Sequence, residues 1–137
     1  MYDERFVTPM RQELTSLGVE EMRTANEVDA KLKDSKGTTL VVVNSVCGCA
    51  ARNARPAVAR ALKHPVKPDS LTTVFAGQDV DAAQRARSYF TGYPPSSPQI
   101  GLLKDGKIVF MLERHQIEGR TAGEIADDLV GAFDRYC

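Results

Sequence analysis

Cys47, Gly48 and Cys49 are the residues of this chain whose types and spacing point most directly to chemistry. Two thiols one residue apart follow the β-branched run Thr38 to Asn44 and precede an alanine-rich stretch from Ala50, so they stand where a strand gives way to a helix. Unpaired N–H groups of a first helical turn, together with the helix dipole, stabilise an anion there, and Cys47 is expected to be the more acidic thiol. The thiolate is the nucleophile of disulfide exchange, and a pKa lowered toward ambient pH enlarges its population without making the sulfur too weak an attacker. Gly48 removes Cβ crowding between the cysteines and allows the unusual backbone angles that a bridge over one residue requires. A Cys47–Cys49 disulfide would be strained and easily reduced, which suits a bond that cycles.

Residues of these types also have uses outside this chemistry. Free cysteine is commonly buried and inert. A metal centre needs further ligands, and His64, His115 and Cys137 lie at separations matching no familiar zinc spacing, so no metal site is expected. Arg52 and Arg55 follow the motif closely enough to hold a thiolate or attract a carboxylate, although arginines in such places are more often simply solvated. His115 has no visible partner and reads as structural or exposed. Cys137, the last residue, reads as a spectator whose other use would be to join two molecules under oxidation.

The elements that must position the motif are legible in the apolar pattern. Phe6, Met10, Leu14 and Leu17 predict a helix packed by that stripe and stopped at Gly18. Thr24 to Glu27 is a capping-box pattern opening a second helix that ends near Gly37, with Val28 and Leu32 buried. Thr38 to Asn44 reads as a central strand covered on both faces. Ala50 to Leu62 reads as a helix in which Pro56 clashes with the carbonyl of Arg52 and kinks it nearby. Leu71 to Ala76 is a second buried strand, parallel to the first through a right-handed crossover. A short helix over Asp81 to Phe90 and the structured loop Gly92 to Pro98 follow. Next come strands over Gln99 to Leu103 and Ile108 to Leu112, joined at Asp105-Gly106 as a tight hairpin, and a last helix capped by Thr121 and Glu124 that reaches Tyr136.

A βαβ unit followed by a β-hairpin and a terminal helix is the layout of the thioredoxin fold. The expectation is therefore one α/β domain over residues 1–137. It is a thioredoxin-like three-layer α/β/α sandwich with a mixed four-stranded sheet and an additional N-terminal helix. Eighteen Lys+Arg balance eighteen Asp+Glu, and no basic stripe offers a footing for phosphate backbones, so nucleic acid is not an expected partner. Neither Leu40 to Val43 nor Ile108 to Leu112 is nearly long enough as an apolar run to cross a bilayer. The residues following Met1 are acidic where a secretory signal would be basic, and the cysteines do not form an even framework, so a cytoplasmic, reducing setting is expected.

Asn44-Ser45-Val46-Cys47-Gly48-Cys49-Ala50 behind a valine-rich strand resembles the motif of the bacilliredoxin family, and the resemblance runs from the first helix to Tyr136. It implies a thiol-disulfide oxidoreductase with bacillithiol as co-substrate, no tightly bound cofactor, and S-bacillithiolated client proteins as partners. Cys47 would be the attacking cysteine, taking bacillithiol from a client, and Cys49 or a second bacillithiol would discharge it. The resemblance also suggests Gly48, Arg52, Ser97 and Pro98 as substrate-binding residues. Arg52 would meet the carboxylates of the malate group, and a cis Ser97–Pro98 bond would leave backbone groups near Cys47 for an extended thiol substrate. One residue between the cysteines, and no tryptophan, sets the chain apart from thioredoxin itself. Disulfide isomerase activity is the alternative within the same chemistry, and a non-catalytic binding module is the alternative outside it.

Overall fold

The computed structural model describes residues 1–137. The elements are α1 (Glu4–Thr15), β1 (Glu20–Glu21), α2 (Ala25–Leu32), β2 (Thr38–Asn44), a π-helical turn (Ala50–Ala54) running into α3 (Arg55–Ala61), β3 (Ser70–Phe75), α4 (Val80–Arg87), β4 (Gln99–Lys104), β5 (Lys107–Leu112), α5 (Arg114–Ile117) and α6 (Ala122–Tyr136). The five strands lie in the order β1-β3-β2-β4-β5. β2 pairs parallel with β3 and antiparallel with β4, which forms the hairpin with β5. The sheet thus has one strand more than the four expected. β1 is two glutamates long and carries no apolar signal, yet it pairs parallel with β3.

Every residue of β2 is buried, because apolar layers cover both faces of the sheet. Leu40 and Val42 meet Ala57 and Val58 of α3 and Leu129 and Phe133 of α6, whereas Val41 and Val43 join Val28 and Leu32 of α2 and Ala82 and Ala86 of α4. Truncating any of the larger side chains here costs about 2–5 kcal/mol. Gly101 is closely overlaid, since a Cβ there would lie 3.0 Å from Phe90 and 3.2 Å from Met111, and both side chains would have to give way. Asp105 and Gly106 both have positive φ, 50° and 79°, as a two-residue hairpin loop requires. No helix is long and apolar enough to cross a membrane.

Three expectations change in detail. α1 buries Val7, Arg11 and Leu14, leaving Phe6 and Leu17 exposed, because Arg11 is neutralised from three directions. Its guanidinium meets Glu4 at 2.6 Å, Asp79 at 2.7 Å and Glu21 at 3.1 Å, and these pairs outweigh the penalty of burial and hold it protonated. α2 ends at Leu32, short of Gly37. The disturbance expected near Arg52 takes the form of a wider turn: the N–H of Arg55 bonds the carbonyl of Ala50, five residues back, and Pro56 then sits in the first turn of α3, where its missing N–H costs nothing.

Candidate active site

The site is built where β2 ends. Asn44, at the last position of the strand, uses its side chain to hold the departing chain: its Oδ1 accepts from Ser45 N at 2.9 Å and from Arg55 Nη1 at 3.0 Å, while its Nδ2 donates to the carbonyl of Met10. Arg55 Nη1 also bonds the carbonyl of Ser45 at 2.9 Å. Glu13 Oε1 sits 3.0 Å from Arg55 Nε at an angle too poor for a hydrogen bond, so the two meet as an ion pair. Arg55 is therefore neither solvated nor a ligand for substrate. It is 3% exposed and ties α1, β2 and α3 together beneath the cysteines.

Fixed in this way, Ser45 and the first helical turn surround the sulfur of Cys47. The Ser45 hydroxyl lies 3.1 Å from Cys47 Sγ. Partial burial alone would push this thiol up, but the Ser45 hydroxyl, the backbone N–H groups of Ala50 and Cys49 and the charge of Arg114 outweigh it, so the pKa falls below the ordinary thiol value. Cys49 moves the opposite way: burial, the neighbouring Cys47 and the Glu118 carboxylate push it up, and Arg114 offsets them only in part. Both cysteines are free thiols, and the two environments separate them into a more acidic and a less acidic sulfur.

Cys47 opens into a cleft of about 230 Å³ lined by Tyr2, Ser45, Val46, Ala76, Gly77, Ser97 and Arg114. Tyr2 is held there by paired bonds of its backbone with the Gln78 side chain. The largest cavity, about 560 Å³ around Arg23, Gln78 and Asp79, contains no cysteine and offers nothing to this chemistry.

The Ser97–Pro98 peptide bond is cis, as its place before β4 suggested, and Ser97 lines the cleft. Its carbonyl is not free, since it accepts from Arg114 Nη1 at 3.2 Å. Gly48 lies within the first helical turn with φ outside the left-handed region, so the unusual backbone angles expected of it are not used. What its missing Cβ admits is the guanidinium of Arg52, whose Nη2 lies 2.5 Å from where that carbon would be. Arg52 thus sits beside the motif, exposed. His115 is exposed and faces Glu113, His64 bonds Asp134 at 2.8 Å on α6, and Cys137 is exposed at the end of that helix.

Arg114 and Glu118 are the site residues that sequence reasoning missed. Arg114 opens α5, donates from Nε to Glu118 Oε2 at 2.9 Å and brings Nη2 to 3.9 Å from Cys49 Sγ, while the Glu118 carboxylate helps push the Cys49 thiol up. The available signal was a pair of opposite charges four residues apart just past the hairpin, next to the histidine that drew attention instead.

A family model described as disulphide isomerase matches residues 2–137. Among similar proteins, a bacilliredoxin of Koribacter versatilis is 56% identical over 137 residues, covering 100% of this chain and 94% of the relative. One from Staphylococcus haemolyticus is 53% identical with the same coverage. Solved structures share the fold: the thioredoxin of Fasciola hepatica superposes with a TM-score of 0.57 at 20% identity, covering 87% of this chain and 100% of that one. The thioredoxin of Malassezia sympodialis does so with a TM-score of 0.57 at 15%, covering 86% and 90%. Fold and kinship together make the protein a thiol-disulfide oxidoreductase. With its full length matched by the family model and by these relatives, the chain belongs to the disulphide isomerase family, the family of the bacilliredoxins.

Proposed function

We propose that the protein removes bacillithiol from S-bacillithiolated client proteins in the cytoplasm. The observation that carries this reading is the Cys47 sulfur, held below the ordinary thiol range by Ser45, two backbone N–H groups and Arg114 at the mouth of a small cleft. The Cys47 thiolate attacks the bacillithiol sulfur of the mixed disulfide. A new S–S bond forms, the client–bacillithiol bond breaks, and the client sulfur leaves with the electron pair and takes a proton from water.

The adduct on Cys47 has two exits. Cys49 can surrender its proton and attack Cys47, releasing bacillithiol thiolate and closing the internal disulfide. Alternatively, a second bacillithiol attacks and carries the first away as a disulfide. The raised pKa of Cys49 supports an adduct that persists long enough for either exit. No tightly bound cofactor enters the cycle.

The test uses a purified S-bacillithiolated client. Cys47→Ser abolishes release of bacillithiol, while Cys49→Ser still takes the thiol onto Cys47, seen as a mass increase of the intact protein. Release by Cys47→Ser as fast as by the parent would refute the assignment. Trapping with Cys49→Ser in native extract then names the carrier from the adduct mass. The description of the matched family favours disulfide isomerisation as a second reading, served by the same thiolate on misbridged proteins. Recovery of a scrambled substrate without any low-molecular-weight thiol supports it. If Cys47 reacts no faster than a free model thiol at neutral pH, both readings fail and a non-catalytic binding module remains.

A further inference from the structure

Arg114 does more in the geometry than lower the pKa of a neighbouring sulfur. Of the residues lining the Cys47 cleft it is the one with a charged side chain. Its guanidinium has five N–H donors, of which the structure uses three: Nε to Glu118, one on Nη1 to the carbonyl of Ser97, and one on Nη2 toward Cys49. Two donors are left, on a half-exposed side chain anchored at both ends. A carboxylate accepts paired N–H groups of a guanidinium well, and the Glu118 ion pair fixes the fork without consuming it.

The bond to Ser97 matters in a second way. An extended peptide brought to the sulfur needs backbone partners along the cleft edge, and the Ser97 carbonyl would be such an acceptor. Arg114 already donates to it, so an extended peptide must share that oxygen with the guanidinium or displace it, whereas a small acidic thiol meets the arginine where it stands.

We propose that Arg114 is the specificity-determining residue of the site: it takes a carboxylate of a low-molecular-weight thiol bound at Cys47 and competes with extended peptides for the Ser97 carbonyl. The proposal rests on the reading of Cys47 as the thiol acceptor and adds to it the chemical class of the carrier, a low-molecular-weight thiol bearing a carboxylate. Arg52, exposed above Gly48, lies outside the cleft lining and is not required.

The experiment compares two alkylating agents of nearly equal size, iodoacetate and iodoacetamide, on Cys47 in a Cys49→Ser, Cys137→Ser background. Each forms a bond from Cys47 Sγ to carbon and expels iodide, and only the first carries a carboxylate. Any change in thiolate population cancels in the ratio of the two rates. Arg114→Gln is expected to lower the iodoacetate-to-iodoacetamide ratio about fivefold, the size of one solvent-accessible charge-assisted contact, and Arg114→Lys to lower it less. An unchanged ratio in Arg114→Gln overturns the proposal.

A second arm uses mixed disulfides of one client thiol with 2-mercaptosuccinate, with 2-mercaptoethanol and with a cysteine peptide of extended sequence. Arg114→Gln should slow the first relative to the second and speed the third relative to the second. Equal slowing of all three would reduce Arg114 to a tuner of the Cys47 thiolate and overturn the proposal. Neither arm uses bacillithiol, so an Arg114 preference that persists while bacillithiol is refused tells against the carrier named above and leaves Arg114 as the selector of acidic thiols.

Discussion

Ser45→Ala isolates one of the donors that sustain the Cys47 thiolate. The hydroxyl lies 3.1 Å from the sulfur and Ser45 is 7% exposed, so little water is at hand to replace it. A hydrogen bond to a charged group contributes about 1.5–3 kcal/mol, and sulfur is a weak acceptor, so the low end applies, which is roughly a tenfold loss in the ratio of thiolate to thiol. A more basic thiolate is also a better nucleophile, by about threefold for that change. With Cys49→Ser and Cys137→Ser as the common background, exchange with a small neutral disulfide should therefore slow about three- to fourfold at a pH below both midpoints. Once both sulfurs are ionised it should become about threefold faster than the parent. Stopped-flow absorbance of the released thiol across pH reads both limbs. Curves that superimpose, or a variant slower at every pH, would refute the assignment of the Ser45 hydroxyl as donor.

Other expectations follow from the same geometry. Gly48→Ala requires only that the flexible end of Arg52 swing aside, so a urea melt should show stability unchanged or raised by up to about 1 kcal/mol and exchange should persist. Arg55→Ala leaves the Asn44 and Ser45 oxygens and Glu13 without their cation and should destabilise the protein by about 3 kcal/mol in the same melt, and Arg11→Ala should do comparable damage by stranding Glu4, Glu21 and Asp79. Because the folded pKa of Cys47 is depressed from its ordinary 9.0, its ionisation contributes stability that is full above pH 9.0 and is lost as pH falls through the folded midpoint. Relative to Cys47→Ser, the parent should thus gain stability as pH rises from neutrality toward 9.0, measured by denaturation at each pH.

Much of the frame was readable because its signals are local. The β-branched run of β2, the N-cap at Thr24, the capping box at Thr121 and the Asp105-Gly106 turn each depend on neighbours within a few residues, and they stand at or near the places read from sequence, although at Thr24 the reciprocal bond of a full capping box is not made. What escaped are side chains whose burial is licensed by partners far along the chain. Arg11 reads as a polar break in the α1 stripe until Glu21 and Asp79 are brought to it, and Arg55 looks solvated until Asn44 and Glu13 close around it. Arg114 belongs to the site only because the β4–β5 hairpin returns α5 to the end of β2, a consequence of topology that spacing does not encode. The two-residue β1 escaped for the opposite reason: backbone bonds to β3 define it, and its side chains carry no strand pattern.

The central claim is that the environment sorts the two thiols, so that Cys47 is the sulfur ionised at working pH. Thiolate absorbance near 240 nm, followed against pH in Cys49→Ser and in Cys47→Ser with Cys137→Ser common to both, measures this directly. Cys47 is expected to show a midpoint below that of a free thiol and below that of Cys49, which burial and Glu118 still raise once Cys47 is replaced. Coincident midpoints, or Cys49 ionising first, would contradict it.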